Sequence, residues 1–261
     1  MNAKELIKEG KLAEARACLT EAVKASPGNL ADRTVLFQVL VCCGEFDKAR
    51  RHLEAIASQD SSRQSAVLGY IHLLLAEAER TEVARYKRAP AYWPELPDYS
   101  ALYESARERL QARDFAGAGQ ILDEIERQRP ALSGTLNGKA FAGFHDTDSQ
   151  LAFFLEAFVH ERYVWIPIDS LREVVIPSPA TFLDLLWISA QVTTRDAMVV
   201  NCFLPALYPE SFGHDDDRIK LGRMTDWRPL GDSLFKGFGQ HVFQAGDGEI
   251  GILEICEASF T

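Results

Sequence analysis

A histidine beside three aspartates, GHDDDR at Gly213 to Arg218, is the one cluster in this sequence with the atoms to ligate a metal ion. Its spacing argues against that, because adjacent side chains diverge and no second ligand group lies at a helical or EF-hand interval. The cluster reads as a solvated loop. The remaining histidines, His52, His72, His145, His160 and His241, are scattered, and none has a Cys, Ser or Asp partner in a nucleophile motif. Cys18, Cys42, Cys43, Cys202 and Cys256 form neither a CxxC pair nor a His/Cys zinc spacing, so reduced and mostly buried thiols are expected. GDSLFKGFG, Gly231 to Gly239, has the glycines of a phosphate loop without the order GxxxxGKS or GxxxxGKT. These residues specify no catalytic group, no cofactor and no metal.

Charge and hydropathy exclude further classes. The formal net charge of -10 is uneven: residues 1–130 hold 19 basic and 20 acidic side chains, residues 131–261 hold 9 and 18. The second half would repel phosphate backbones. The best basic and aromatic cluster, Arg85, Tyr86, Lys87 and Arg88, is small and reads as a solvated helix face. Nucleic acid is therefore not an expected partner. The longest apolar runs, VLVCC from Val39 and HLLLA from His72, fall far short of the roughly 18 residues that suggest a membrane span. The opening MNAKELIKEGKLAEA carries acids early and lacks an apolar stretch, so neither a signal nor a transit peptide is read and a cytoplasmic location is expected.

The elements that must position these residues begin with a repeat. GKLAEARACLTEAV from Gly10 recurs as GEFDKARRHLEAIA from Gly44, an offset of 34 residues that aligns Leu12 with Phe46, Ala15 with Ala49 and Leu19 with Leu53. That is the tetratricopeptide period. RDFAGAGQILDEIERQRP from Arg113 carries a third copy, with Phe115, Ala118 and Leu122 in register. The small residue lets neighbouring helices approach, and the large residues three before and four after fill the gap. RQSAVLGYIHLLLAEAER, Arg63 to Arg80, reads as another helix with Leu68, Ile71, Leu75 and Ala78 on one face. YKRAPAYWPELPDYS, Tyr86 to Ser100, reads as an irregular insertion ahead of a helix over Ala101 to Ala112.

After Pro130 the period changes. GKAFAGF, FFLEAFV, YVWIPI, REVVI, WISAQVTT, AMVVNCFLPAL and EIGILEI are short, β-branched and aromatic, and turn residues separate them. Pro167 and Pro205 sit near strand ends, where a missing N–H is tolerated. Short helices at 149–155 and 180–186 are alternatives to strand. At 261 residues and 47% hydrophobic the chain has room for two cores. The fold class is α+β: an all-α tetratricopeptide-like domain over 1–130, then a mainly antiparallel β domain over 131–261, as a curled sheet or small barrel. Trp165, Trp187, Trp227 and Tyr208 are expected to fill its core.

The second half contains FLEAFVHERYVWIPIDSL, LLWISAQV, FLPALYPES, LGRMTDW and GFGQHVF, in that order. Joined to degenerate tetratricopeptide-like helices, this set resembles the ImpE family, also called the TagJ or SciE type, over essentially the whole chain. The resemblance implies a cytoplasmic, non-enzymatic accessory protein of a bacterial type VI secretion system. It implies an adaptor that binds the N-terminal helical segment of the small, TssB-like subunit of the contractile sheath and modulates sheath recycling by an AAA+ ATPase. It marks no binding residues. A helical array accepts an amphipathic helix in a groove, and the groove candidates are Phe37, Leu40 and Tyr70 on first helices of hairpins, with Tyr92 and Trp93 on the insertion. Inter-helix packing is the alternative role for Phe37 and Leu40, and the prolines around Tyr92 and Trp93 argue against a buried helix there. A rival from another class is a metal-dependent hydrolase using the acidic loop near His214. A scaffold acting through the β half is a third reading.

Overall fold

The computed structural model describes residues 2–261. Its first half is helical hairpins: α1 (Ala3–Lys8) with α2 (Leu12–Ala25), α3 (Leu30–Cys42) with α4 (Phe46–Gln59), then α5 (Gln64–Ala84). After a short strand, β1 (Ala91–Tyr92), come α6 (Ser100–Gln111) and α7 (Phe115–Gln128). Every hairpin turns through the same backbone knot. Gly10, Gly44 and Arg113 adopt left-handed φ angles of 75°, 69° and 61°. In each case the next N–H reaches back five residues, from Lys11 to Leu6, Glu45 to Leu40 and Asp114 to Arg109. Glycine takes this conformation freely, whereas Arg113 carries a Cβ into it. The aligned alanines Ala15, Ala49 and Ala118 are fully buried at the closest approach of neighbouring helices, with Leu12, Leu19, Leu53 and Leu122 filling the space around them.

The second half is built on one nine-stranded sheet. Its strands are β2 (Ser133–Leu136), β3 (Lys139–Ala142), β5 (Phe154–Val159), β6 (Arg162–Pro167), β7 (Leu171–Val175), β8 (Trp187–Thr194), β9 (Val199–Pro205) and β14 (Glu257–Phe260), with β1 at one edge. The order is β1-β6-β5-β9-β8-β7-β14-β2-β3, antiparallel except for the β1–β6 pair. A three-stranded sheet, β13 (Gly248–Gly251), β12 (Val242–Ala245) and β4 (Phe144–Asp146), covers one face, and a hairpin of β10 (Thr225–Pro229) and β11 (Phe235–Gly239) stands beside it. The sheet is open and does not close into a barrel. Pro167 and Pro205 are the last residues of β6 and β9.

Several expectations change. The insertion is not a free loop: Ala91 and Tyr92 pair with Val164 and Trp165 and extend the sheet. EIGILEI is strand only to Gly251, and a 3-10 turn takes Ile252–Glu254. Residues 149–153 are turn rather than helix, whereas Phe182–Leu185 is a 3-10 helix. The helix-to-strand change falls near residue 130, yet a single core runs across it, with Tyr103, Phe153, Phe154 and Trp165 packed ring against ring. A second core, with Ile188, Val192, Leu204 and Phe243, lies between the two sheets.

Candidate docking surface

Helix α5 lies across the large sheet, and polar residues hold it there. The Arg80 guanidinium donates to both carboxylate oxygens of Glu156 on β5, at 2.9 and 2.6 Å, and to Glu77 one turn back at 3.2 Å. His241 bridges Glu156 (2.9 Å) and Asp146 (2.7 Å), and the Tyr208 hydroxyl donates to Asp146 at 2.7 Å. The Trp187 indole N–H donates to Glu77 at 3.0 Å, and Tyr163 donates its hydroxyl hydrogen to Glu156. All of these side chains are buried. Burial opposes each charge, but the partners win: Glu156 is pulled down to about 2, chiefly by Arg80, and His241 is held up at about 9, chiefly by Asp146. Burial and the neighbouring Asp146 lift Asp148 to about 6. Such a network is costly unless every member is matched, so it fixes the helix in one position.

A second set of contacts ties segment 207–223 of the β half to the hairpin corners. Asp217 Oδ2 accepts the Leu12 N–H at the start of α2, at 2.8 Å. Arg223 donates to the Ile7 and Lys8 carbonyls at the end of α1, at 2.8 and 2.7 Å. Phe212 sits against Gly44, edge-on to Phe46 at 5.4 Å. These contacts also account for the acidic loop. Asp216 caps the short helix α8 (Asp217–Lys220) and pairs with Arg218, Asp217 pairs with Lys220, and His214 accepts from the Asp216 N–H at 3.0 Å. Among the described residues no group of three or more His, Cys, Asp or Glu side chains is arranged to hold a metal ion. Arg85, Lys87 and Arg88 lie beyond the end of α5 and pair with Glu210, Glu82 and Glu79, so they are not a helix face.

With Glu77 and Arg80 turned inward, two leucines on the opposite face of α5 are left uncovered. Leu68 is 53% exposed and Leu75 47%, with Ala78 exposed and Ile71 half-buried between them. The helix therefore buries two of its charged residues and leaves two of its leucines exposed, while Val67, Leu73, Leu74 and Val83 pack inward. The sheet beside it is also uncovered over part of its helix side. Trp187 pairs with Pro205 in the row beneath α5, so the alternate residues beyond, Ser189 and Gln191 on β8 and Phe203, Asn201 and Val199 on β9, face the helix side. Each is exposed, Phe203 by 39% and Val199 by 57%, and Val175 on β7 and Glu257 on β14 continue the face. Glu79 reaches forward to the Tyr163 N–H at 3.1 Å, at the same end of the sheet.

The groove candidates read from the sequence lie elsewhere. Phe37 (1% exposed) and Leu40 (3%) are packed inside the helical array, and Tyr70 is half-buried with its ring 5.4 Å from Phe37. Tyr92 packs on Phe154 and Trp165 and donates to Glu104 at 3.3 Å, and burial pushes its phenol up. Trp93 is half-buried against the inter-sheet core. The prolines argue against a helix at Tyr92 and Trp93, and the strand Ala91–Tyr92 holds the two residues half-buried against the sheet. Leu68 and Leu75 are legible in the sequence as one face of a helix, but their exposure is not. Trp165, Trp187 and Tyr208 are buried core residues, and Trp227 is half-buried against Tyr208.

Fold and surface together define a class: a tetratricopeptide-like repeat array locked to a mainly antiparallel β half, with an uncovered helix and sheet face between them. The family models agree with that division, a tetratricopeptide repeat matching residues 6–69 and the ImpE protein family matching residues 138–259. The chain is 31% identical over 261 residues, all of it and 91% of the relative, to the type VI secretion system accessory component TagJ of Pseudomonas aeruginosa. A crystal structure of a protein from Vibrio parahaemolyticus superposes with a TM-score of 0.90 at 23% identity, over 99% of this chain and 97% of that one, and so shares the fold. The chain belongs to the ImpE family. Among the described residues no helix is long and apolar enough to cross a membrane.

Proposed function

We propose that the protein is a non-enzymatic adaptor of a type VI secretion system that works in the cytoplasm. It binds the N-terminal helical segment of the sheath small subunit and so influences recycling of the sheath by its AAA+ ATPase. The observation that carries the reading is the outward apolar row of α5 above an uncovered sheet face, a surface suited to association. Family membership and the relative's role as a secretion accessory component support the setting. The rival hydrolase is not favoured, since Asp216 and Asp217 beside His214 are engaged in capping and ion pairs.

Calorimetry with a synthetic peptide of the sheath subunit's N-terminal segment, together with metal analysis of the purified protein, tests the proposal. Saturable binding at one peptide per chain is expected. A stoichiometric metal at His214 with no affinity for the peptide would overturn the adaptor in favour of the hydrolase.

A further inference from the structure

A cavity of about 220 Å³ opens where the ends of α5 and α6 and the start of α7 meet the β half. A cavity of about 150 Å³ is enough to hold benzene, so this one has room for a small organic molecule. Part of its wall is apolar, made by Ala84, Leu110, Phe115 and Leu230. The rest is polar, and the charges there are balanced with one exception. Asp148 is the only acid lining the cavity, and its oxygens accept the Gln150 and Gly237 N–H groups at 2.8 Å each and the Leu151 N–H at 3.2 Å. Lys236 is held by Glu210 at 2.8 Å. Arg113 also lines the cavity, and among the described residues it is in no ion pair.

The polar groups left over are donors. The Gln150 Nε2 is buried without a hydrogen-bond partner, and burial pushes the Tyr86 phenol up to about 12, so it keeps its hydrogen at neutral pH. Tyr86 and Arg113 have a second feature in common. They follow the ends of α5 and α6, and both are left-handed, with φ of 57° and 61°. Glycine suits that place and occupies it at the other corners, as Gly10 and Gly44. Two large side chains are thus kept at strained positions beside one cavity, and Arg113 has no acidic partner in the protein to offset the strain.

From the unbalanced arginine, the surplus of donors and the apolar wall we infer that this cavity binds a small organic monocarboxylate, with its carboxylate on Arg113 and its apolar body against Leu110, Phe115 and Leu230. The site shares no residue with the row on α5 and goes beyond the adaptor reading, since it stands whether or not the sheath segment binds.

The probe is para-fluorobenzoate, titrated into the full chain and followed by fluorine NMR. Saturable binding with a Kd of about 1 mM is expected for a ligand of about ten non-hydrogen atoms. The neutral para-fluorobenzamide keeps the shape without the charge, and acetate keeps the charge without the ring; each should bind at least roughly tenfold more weakly, acetate being read by its displacement of the probe. Arg113→Gly should weaken para-fluorobenzoate roughly tenfold or more. The turn at this position favours glycine, so the variant folds, and its melting temperature verifies that. Arg127→Gln removes an arginine farther along α7 whose side chain is 69% exposed, and it should leave the affinity unchanged. No saturation by about 10 mM, equal binding of the amide or of acetate, binding undiminished in Arg113→Gly, or an equal loss in Arg127→Gln overturns the site.

Discussion

Replacing Arg80 by methionine tests whether a buried ionic network sets the position of α5. The substitution keeps an unbranched, largely apolar stem and removes five donors. Glu156 then loses its two-pronged partner and Glu77 loses one contact, both within the core. Removing one member of a buried ion pair costs ~3–5 kcal/mol, because the other charge stays desolvated. Glu156 keeps His241 and the Tyr163 hydroxyl, which places the expected loss at the lower end, about 3 kcal/mol. For a chain of this size that lowers Tm by roughly 6–12 °C. Urea denaturation followed by circular dichroism measures it. The pair Arg80→Met with Glu156→Gln should lose less than the two single variants added together, with a coupling of at least about 2 kcal/mol. A loss below about 1 kcal/mol for Arg80→Met, or strictly additive effects, would refute the network as the determinant of how α5 is seated.

Other outcomes follow from the same contacts. His241 titrates near 9 in the folded protein against about 6.5 unfolded, so its contribution is complete below about 6.5, of the order of 3 kcal/mol, and disappears as pH rises through 9; urea midpoints at pH 7 and 9.5 should show this drop in wild type and not in His241→Asn. Glu156 acts with opposite sign, since its carboxyl is held at about 2 and its share is lost as the solution is acidified from about 4.5 towards 2. Gly44→Ala should destabilise by about 2–3 kcal/mol, because the left-handed φ disfavours a Cβ and that Cβ would overlap the Phe212 ring; combining it with Phe212→Ala should cost less than the sum of the two. Arg113→Gly should raise stability by about 1 kcal/mol by relieving the left-handed strain at the third hairpin, read as an increase in Tm.

The helical half is legible in the sequence because its determinants are local. An alanine at the helix crossing, large residues around it and a left-handed turn before it recur every 34 residues over the first two hairpins, and three-dimensional context is not needed to read them. The long strands of the β half are legible for the same reason, being runs of β-branched and aromatic residues. The strands Ser133–Leu136, Thr225–Pro229 and Glu257–Phe260 are not, because they are short and contain glycine, proline or acid, and the first and last of them pair with each other from opposite ends of the β half. The docking surface shows the limit most clearly. Helix α5 is apolar on several sides, with Val67, Leu73, Leu74 and Val83 buried and Leu68 and Leu75 exposed. Charge patterning alone assigns Glu77 and Arg80 to solvent. They point inward because Trp187 and Glu156, more than 70 residues away, offer partners there, and the leucines are turned outward as a result.

The order of the sheet imposes a timetable on synthesis. β14 is the last strand made, yet it lies between β7 and β2 and pairs with both. Until it has emerged, β2 and β3 have no neighbour to join them to the rest, although the helical array and most other strands already exist. A nascent or prematurely terminated chain would hold an array with its sheet in two pieces and the strand edges of β7 and β2 bare, a form prone to aggregation and open to quality control. The helices are thus complete long before the sheet they pack on, which closes only when its last strand has been translated.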